Sequence, residues 1–176
     1  IPPVPTGPCL GGAIDNQGGQ LHLHNCVFTG NRTDGGAGVI WTRNGVVVGA
    51  GGGRNGYGGA IYNSGILNAA LCTFAGNSAS GGLAPAQTAS NPAPGPGLTG
   101  GSGGTAAGGA ICNSGTLVIE RSLIASNAVY GGSGGAGGPG RSGSLQPFAL
   151  SSGGKGGIGG NGYGAPLFNS GGASLV

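Results

Sequence analysis

The fold is decided by the stretch Gly58-Gly59-Ala60-Ile61-Tyr62-Asn63, because close copies of it recur along the chain. Successive copies begin 47, 50 and 56 residues apart, and the last copy is the weakest. Self-similarity at such a period is typical of solenoid proteins, in which each repeat forms one structural unit. The other three copies are Gly11–Asn16, Gly108–Asn113 and Gly164–Asn169.

Two more short β segments follow each of the first three copies. One alternates apolar and polar residues, as in Leu21-His22-Leu23-His24, and this is the period of a strand. The other ends in Asn, in the versions Phe28–Asn31, Phe74–Asn77 and Ile124–Asn127. A coil of three short strands cannot bury its own apolar side chains, so coils must stack. We therefore predict an all-β fold, a short right-handed parallel β-helix of about three and a half coils.

The repeat also sets the predicted domain organisation. A Pro-rich N-terminal arm, residues 1–10, precedes a single β-helix domain, residues 11–176. Glycine-rich loops separate the coil blocks and all leave after the same Asn corner, so they lie on one side of the solenoid. The predicted coil blocks are 11–31, 58–77, 108–127 and 164–176, and the predicted loops are 32–57, 78–107 and 128–163.

Stacking of the coils predicts ladders of equivalent side chains. Asn suits the corners because it tolerates a left-handed backbone and its amide can hydrogen-bond along the stack. The predicted apolar ladders are Ile14, Ile61, Ile111 and Leu167, and Phe28, Phe74 and Ile124. The predicted Asn ladders are Asn16, Asn63, Asn113 and Asn169, and Asn31, Asn77 and Asn127.

The paired motifs GGAI and FxxN resemble the repeats of chlamydial polymorphic outer-membrane proteins and related β-helical surface proteins. The resemblance covers Gly11–Asn31, Gly58–Asn77, Gly108–Asn127 and the partial copy from Gly164. It implies a right-handed β-helix, export, and a role in adhesion or surface structure. The chain departs from that pattern at Ile124, which replaces Phe, and in its longer, more glycine-rich loops.

The glycine-rich loops contain a local period of three. It is clearest in residues 151–161 as repeated Gly-Gly-x, and weaker in 131–140 and 100–104. Two interpretations stay open from the sequence. The loops either pack as ordered rods of the polyglycine II type or remain flexible coils, as glycine-rich chains normally do. Their shared side of the solenoid favours lateral packing.

Charge and hydropathy exclude two classes of partner. The chain has six Lys or Arg and three Asp or Glu, a net charge of +3, with no basic cluster. Phosphate backbones are bound by such clusters, so we predict no nucleic-acid partner. No apolar run approaches the roughly 18 residues of a membrane helix, so we predict no membrane span.

The sequence offers no convincing catalytic or metal site. Polysaccharide-active β-helix enzymes need clustered carboxylates, whereas Asp15, Asp34 and Glu120 fall in different columns of the repeat. His22 and His24 share one strand face but lack a third ligand. We predict no enzymatic activity, no cofactor and no metal, with a polysaccharide-active enzyme as a remote alternative. An ice-binding face is not expected, because no Thr column forms.

Four cysteines raise two possibilities. Cys26 and Cys72 occupy matching positions two residues before Phe28 and Phe74, so stacking brings them within disulfide range. A disulfide and two free thiols are both compatible with this spacing. Cys9 and Cys112 are candidates for a covalent bond between subunits, or within one chain if the arm crosses the coils.

The functional prediction follows from the ends of the solenoid. The last block stops within a repeat, and the first is preceded by an extended arm. We predict a secreted structural protein that assembles head to tail with other copies of itself into an extracellular filament or surface layer. The alternative is a passenger fragment of a β-helical surface adhesin. Low charge, four Cys and the lack of Met at position 1 predict an extracellular or cell-surface protein with a cleaved signal peptide.

Overall fold

The computed structural model describes residues 7–89, 95–141 and 151–176, and the residues described form a stack of β coils. The first coil contains β1 (Cys9–Leu10), β2 (Ile14–Asn16), β3 (Gln20–His24), β4 (Val27–Thr29) and β5 (Arg32–Asp34). A hairpin of β6 (Ile40–Arg43) and β7 (Val46–Ala50) follows. The second coil contains β8 (Gly56–Tyr57), β9 (Ile61–Asn63), β10 (Ile66–Ala70), β11 (Thr73–Ala75) and β12 (Ser78–Ser80). The third contains β13 (Ala106–Ala107), β14 (Ile111–Asn113), β15 (Thr116–Glu120), β16 (Leu123–Ala125) and β17 (Ala128–Tyr130). The fourth contains β18 (Gly162–Tyr163), β19 (Leu167–Asn169) and β20 (Gly172–Leu175).

Equivalent strands of successive coils pair in parallel and build five sheets. Their strand orders are β1-β8-β13-β18, β2-β9-β14-β19, β3-β10-β15-β20, β4-β11-β16 and β5-β12-β17. The register follows the sequence repeat: Ile61 lies beside Ile14 on one side and Ile111 on the other. The predicted all-β parallel β-helix is therefore confirmed.

Each full coil has five strands instead of the predicted three, so the coil extends into the predicted loops and arm. Residues 32–34, 78–80 and 128–130 lie within the predicted loops but pair as β5, β12 and β17. Cys9 and Leu10, assigned to the arm, form β1 against β8. These segments are two or three residues long and mostly small or polar. They carry no alternating pattern, and stacking on the neighbouring coil aligns them.

The core is a set of columns inside the stack. The middle coils bury Ile61, Leu67, Ile111 and Leu117 completely, whereas Ile14 on the first coil is only partly covered. Burial of each such side chain contributes about 1.5–3 kcal/mol. The rings of Phe28 and Phe74 stack with centroids 5.1 Å apart, and Ile124 continues that column on the third coil.

Two Asn ladders run through the stack at the predicted corners. The Nδ2 groups of Asn16, Asn63 and Asn113 each donate to the Oδ1 of the equivalent Asn on the next coil, at 2.6 Å in every step, ending at Asn169. In the second ladder the Nδ2 groups of Asn31 and Asn77 donate to the next Oδ1 at 2.9 Å, ending at Asn127. Asn63, Asn77 and Asn113 are fully buried, so these bonds satisfy amides that water cannot reach.

The first glycine of each GGAI motif is required by the backbone. Gly58 and Gly108 have φ of 70° and 67°, and a Cβ there would lie against the carbonyl of the Ile three residues later, at 2.1 and 2.3 Å. A side chain is disfavoured both by this conformation and by this contact. The motif therefore marks a tight corner that directs each Ile into the core.

The hairpin β6–β7 was absent from the predicted elements. Its turn is Asn44-Gly45 with φ of 51° and 76°, the sequence and sign expected of a type I′ turn. The Asn-Gly pair between apolar runs is therefore the signal that identifies it. The Trp41 ring packs over the Cα side of Gly49 and Gly51.

Replacement of Asn113 by Ala should lower the free energy of unfolding by about 2 to 3 kcal/mol. The substitution removes the acceptor of Asn63 and the donor to Asn169 in a place without water. Urea denaturation of the purified chain measures the change. Asn68→Ala is the matched control, since Asn68 points outward and its amide only meets His22 at 3.3 Å; equal losses for the two variants would contradict a buried ladder.

Candidate functional site: the glycine-rich bundle and the coil ends

The glycine-rich segments pack into an ordered bundle on one side of the β-helix. Three segments leave the coils and form an outbound row, namely 35–39, 81–89 and 131–141. Three segments come back and form a return row, namely 51–55, 95–105 and 151–161. Hydrogen bonds join neighbours within each row and between the two rows. Of the two interpretations that the sequence allowed, packed rods and flexible coils, the structure shows packed rods.

The hydrogen bonds of the bundle repeat every third residue. The N–H groups of Gly132, Gly135 and Gly138 donate to the carbonyls of Gly104, Gly101 and Leu98 at 2.8 to 2.9 Å. The N–H groups of Gly154, Gly157 and Gly160 donate to the carbonyls of Gly138, Gly135 and Gly132 at 2.7 to 2.8 Å. Three residues per turn is the period of the polyproline II helix, so the segments have the polyglycine II arrangement.

Glycine is needed inside the bundle because of space. A Cβ on Gly135 would lie 2.0 Å from the carbonyl oxygen of Pro85, and one on Gly157 would lie 1.8 Å from that of Gly101. Neither glycine has a positive φ, so backbone conformation is not the reason. Every third residue of segment 131–141 instead faces solvent, and these positions hold Ser133, Ala136 and Pro139.

The two ends of the bundle differ. At the end near the first coil, the Arg54 guanidinium lies against Gly36 and Trp41 covers Gly49 and Gly51. At the other end, segment 151–161 presents glycines whose Cβ positions are open. The nearest atoms to a Cβ there are carbonyl oxygens at 3.6, 3.7 and 3.8 Å, for Gly153, Gly156 and Gly159 respectively. We call the first-coil end of the protein the head and the fourth-coil end the tail.

Both ends of the β-helix expose core residues. At the head, Ile14 and Phe28 are half-buried, whereas their equivalents in the second coil are fully buried. At the tail, Leu175 and Val176 are 63% and 81% exposed. A cavity of about 410 Å³ opens between these two residues and Ile124. The apolar columns of the core are therefore incompletely covered at both ends of the stack.

The acidic and histidine side chains considered as catalytic or metal-binding candidates do not come together at one site. Asp15 lies on β2 and accepts from the amide of Gln17 at 2.6 Å, Asp34 lies on β5 beside Arg32, and Glu120 lies on β15. His22 and His24 line a shallow groove of about 470 Å³ together with Glu120. Within the described residues, no three His, Cys, Asp or Glu side chains are grouped as metal ligands.

For Cys26 and Cys72 the sequence left a disulfide and two free thiols open, and the structure has the second arrangement. The two residues do lie on neighbouring coils, but both thiols are free. Each thiol lies at a corner between two strands and donates to a carbonyl two residues earlier, Cys26 to His24 at 3.5 Å and Cys72 to Ala70 at 3.3 Å. The repeat therefore places the two residues at matching positions, and each thiol hydrogen-bonds within its own coil.

The candidate inter-subunit cysteines differ in access. Cys9 is free and half-buried at the head. Cys112 is free and 5% exposed, and this burial raises the pKa of its thiol to about 11. An enclosed, protonated thiol is a poor partner for a bond between subunits.

Comparison with known proteins found no match among protein-family models, curated proteins or solved structures. The class of this protein is therefore described from its structure alone, as a parallel β-helix that carries a polyglycine II bundle. No helix in residues 7–89, 95–141 and 151–176 is long and apolar enough to cross a membrane.

A methyl group added inside the bundle should be far more damaging than one added at its tail. We expect Gly135→Ala to lower the free energy of unfolding by about 3 kcal/mol or more, since a carbonyl occupies the Cβ position. Gly156→Ala has a nearest neighbour at 3.7 Å and should leave stability unchanged or raise it by up to about 1 kcal/mol. Thermal and urea unfolding compare the two variants, and a flexible loop would show no difference between them.

Thiol reactivity should follow burial. At pH 8.5 we expect iodoacetamide to modify Cys9 first and Cys112 only after urea unfolds the chain, because Cys112 stays protonated until the pH approaches about 11. An unfolded thiol ionises near pH 9, so the stability contributed by burying neutral Cys112 is complete below pH 9 and is lost towards pH 11. Peptide mass spectrometry after timed labelling gives the order. Rapid labelling of Cys112 in the folded chain would be inconsistent with its burial.

Proposed function

We propose that this chain is a non-enzymatic structural protein whose copies join end to end into an extracellular filament or surface layer. The observation that supports the proposal is the axial repeat: each coil offers the next the same apolar columns and the same Asn donors and acceptors, so one copy can continue the stack of another. Ile61 and Ile111 are fully buried, whereas Leu175 and Val176 are largely exposed. Covering apolar surface favours association, and part of this gain is offset by the freedom that the subunits lose on binding.

Open strand edges add to the same tendency. β1 to β5 at the head and β16 to β20 at the tail each lack a neighbour on one side among the described strands. Such edges are templates for pairing with another chain. The chain carries little charge to oppose association, with a net charge of +3 over 176 residues.

A passenger segment of a β-helical surface adhesin is the second proposal. It draws on the resemblance of the GGAI and FxxN motifs, and on the fact that further coils of a longer chain would cover the same edges. An enzyme that acts on polysaccharides is less well supported. Glu120 is the single carboxylate lining the groove beside His22 and His24, and glycoside hydrolysis ordinarily uses two.

Electron microscopy and sedimentation of the purified chain at rising concentration test the proposal. We expect thin fibres or sheets of uniform thickness that lengthen with concentration. A monodisperse monomer at high concentration would contradict self-assembly. Binding of that monomer to glycans or cell surfaces would favour the adhesin, and immunolabelling of intact source cells checks the extracellular location.

A further inference from the structure

The hydrogen bonds of the first Asn ladder all point in the same direction along the β-helix axis. In each of its three steps the amide Nδ2 of one coil donates to the Oδ1 of the next coil towards the tail, from Asn16 through Asn63 and Asn113 to Asn169. The ladder therefore ends in an unused acceptor at one end and a partly used donor at the other. Among the described residues, Asn16 Oδ1 receives no donor, and the Nδ2 of Asn169 bonds only the Gly171 carbonyl, at 2.7 Å.

Within the return row of the bundle, the backbone hydrogen bonds between neighbouring segments point in this same direction. The N–H of Gly53 donates to the carbonyl of Ser102, and the N–H of Gly103 donates to the carbonyl of Ile158, both towards the tail at 2.8 Å. The next donor in this series is Gly159, whose N–H has no acceptor in the described part of the chain. In the Asn16 ladder and in this return-row series, the unused donor therefore lies at the tail and the unused acceptor at the head. Bonds between the two rows, such as that from the N–H of Gly132 to the carbonyl of Gly104, point the other way.

We infer that copies of this chain join only tail to head, with Asn169 Nδ2 of one copy donating to Asn16 Oδ1 of the next copy. This inference rests on the proposed self-assembly and specifies its contact. The edges of β18, β19 and β20 then pair with β1, β2 and β3 of the next copy, because each pair belongs to the same sheet of the repeat.

The apolar columns match across this contact. Leu167 continues the column that begins at Ile14, and Leu175 continues the column that begins at Leu23. Each of these end residues would gain the neighbour that its equivalents have in the middle coils. The β16 and β17 sheets end one coil earlier, so the contact uses three of the five sheets and leaves a space one strand deep beside them.

The opposite arrangements place like groups together. A tail-to-tail dimer would bring the Asn169 donors of two copies face to face, and a head-to-head dimer would do the same with two Asn16 acceptors. Both are closed two-fold contacts, whereas a tail-to-head contact is heterologous and propagates. Polarity of the ladder thus favours a fibre with two different ends.

Asn169→Asp tests the inference, because it removes the donor across the contact; within the subunit it also removes the bond to the Gly171 carbonyl. The Asp keeps an oxygen to accept from Asn113, but its carboxylate would face the Asn16 oxygen of the next copy. We expect this variant to form no fibres alone. Its head is intact, so it should also terminate growth: one part in ten added to wild-type chain should shorten fibres several-fold in electron micrographs. Asn68→Asp is the matched control on the flank and should leave fibre length unchanged.

Disulfide trapping tests orientation without relying on the Asn169 variant. Gln17 and Ser170 are exposed and lie in one column of the repeat, so a tail-to-head contact places them about 4.8 Å apart. In a Cys9→Ser background, chains with Gln17→Cys should cross-link to chains with Ser170→Cys. Neither variant should form a cross-linked dimer by itself.

The outcomes separate the inference from the function on which it rests. Wild-type chain that never assembles would overturn both. If the wild-type chain forms fibres, and Asn169→Asp both forms fibres alone and leaves wild-type fibres at full length, the contact is overturned. Self-assembly itself would then still stand. Cross-linking of Ser170→Cys chains to themselves alone would likewise overturn the tail-to-head orientation, and mixed cross-links with shortened fibres would support it.

Discussion

In-register parallel pairing between successive coils is the constraint on which the other features of this structure depend. It sets a step of about 4.8 Å along the axis and aligns each residue with its equivalent one repeat away. A fully buried amide such as Asn63 is tolerated only because the next coil offers an acceptor at 2.6 Å. The same alignment stacks Phe28 on Phe74 and gives the core its columns.

The close spacing of successive coils also explains the high glycine content. Segments that leave the coils at the same corner are held close enough to hydrogen-bond through their backbones, and a carbonyl then occupies the place of a Cβ, as at Gly135. Glycine loses more conformational entropy than other residues on ordering, and the dense backbone hydrogen bonding of the bundle offsets that cost. Order in a chain with 48 glycines therefore comes from lateral contact between segments.

Direction along the axis is the property most relevant to the proposed self-assembly. Every step of the Asn16 ladder points the same way, so the two ends of the molecule are chemically different although the coils are alike. The bundle adds to this difference, with Trp41 and Arg54 at the head and open glycines at the tail. A repeat stack with unlike ends suits ordered, one-directional growth better than closed pairing.

The sequence by itself determined the parts that repeat. The columns of Ile14, Phe28 and Asn16 could be predicted because each copy of the motif carries the same residue at the same position. The strands β5, β12 and β17 could not, since residues such as Ser78-Ala79-Ser80 have no pattern and become strands only by pairing with the next coil. Ordering of the glycine segments was decided only by the tertiary structure, because it depends on hydrogen bonds between segments that no single repeat contains. The direction of the Cys26 and Cys72 thiols could not be predicted either, since matching sequence positions do not fix the side-chain rotamers.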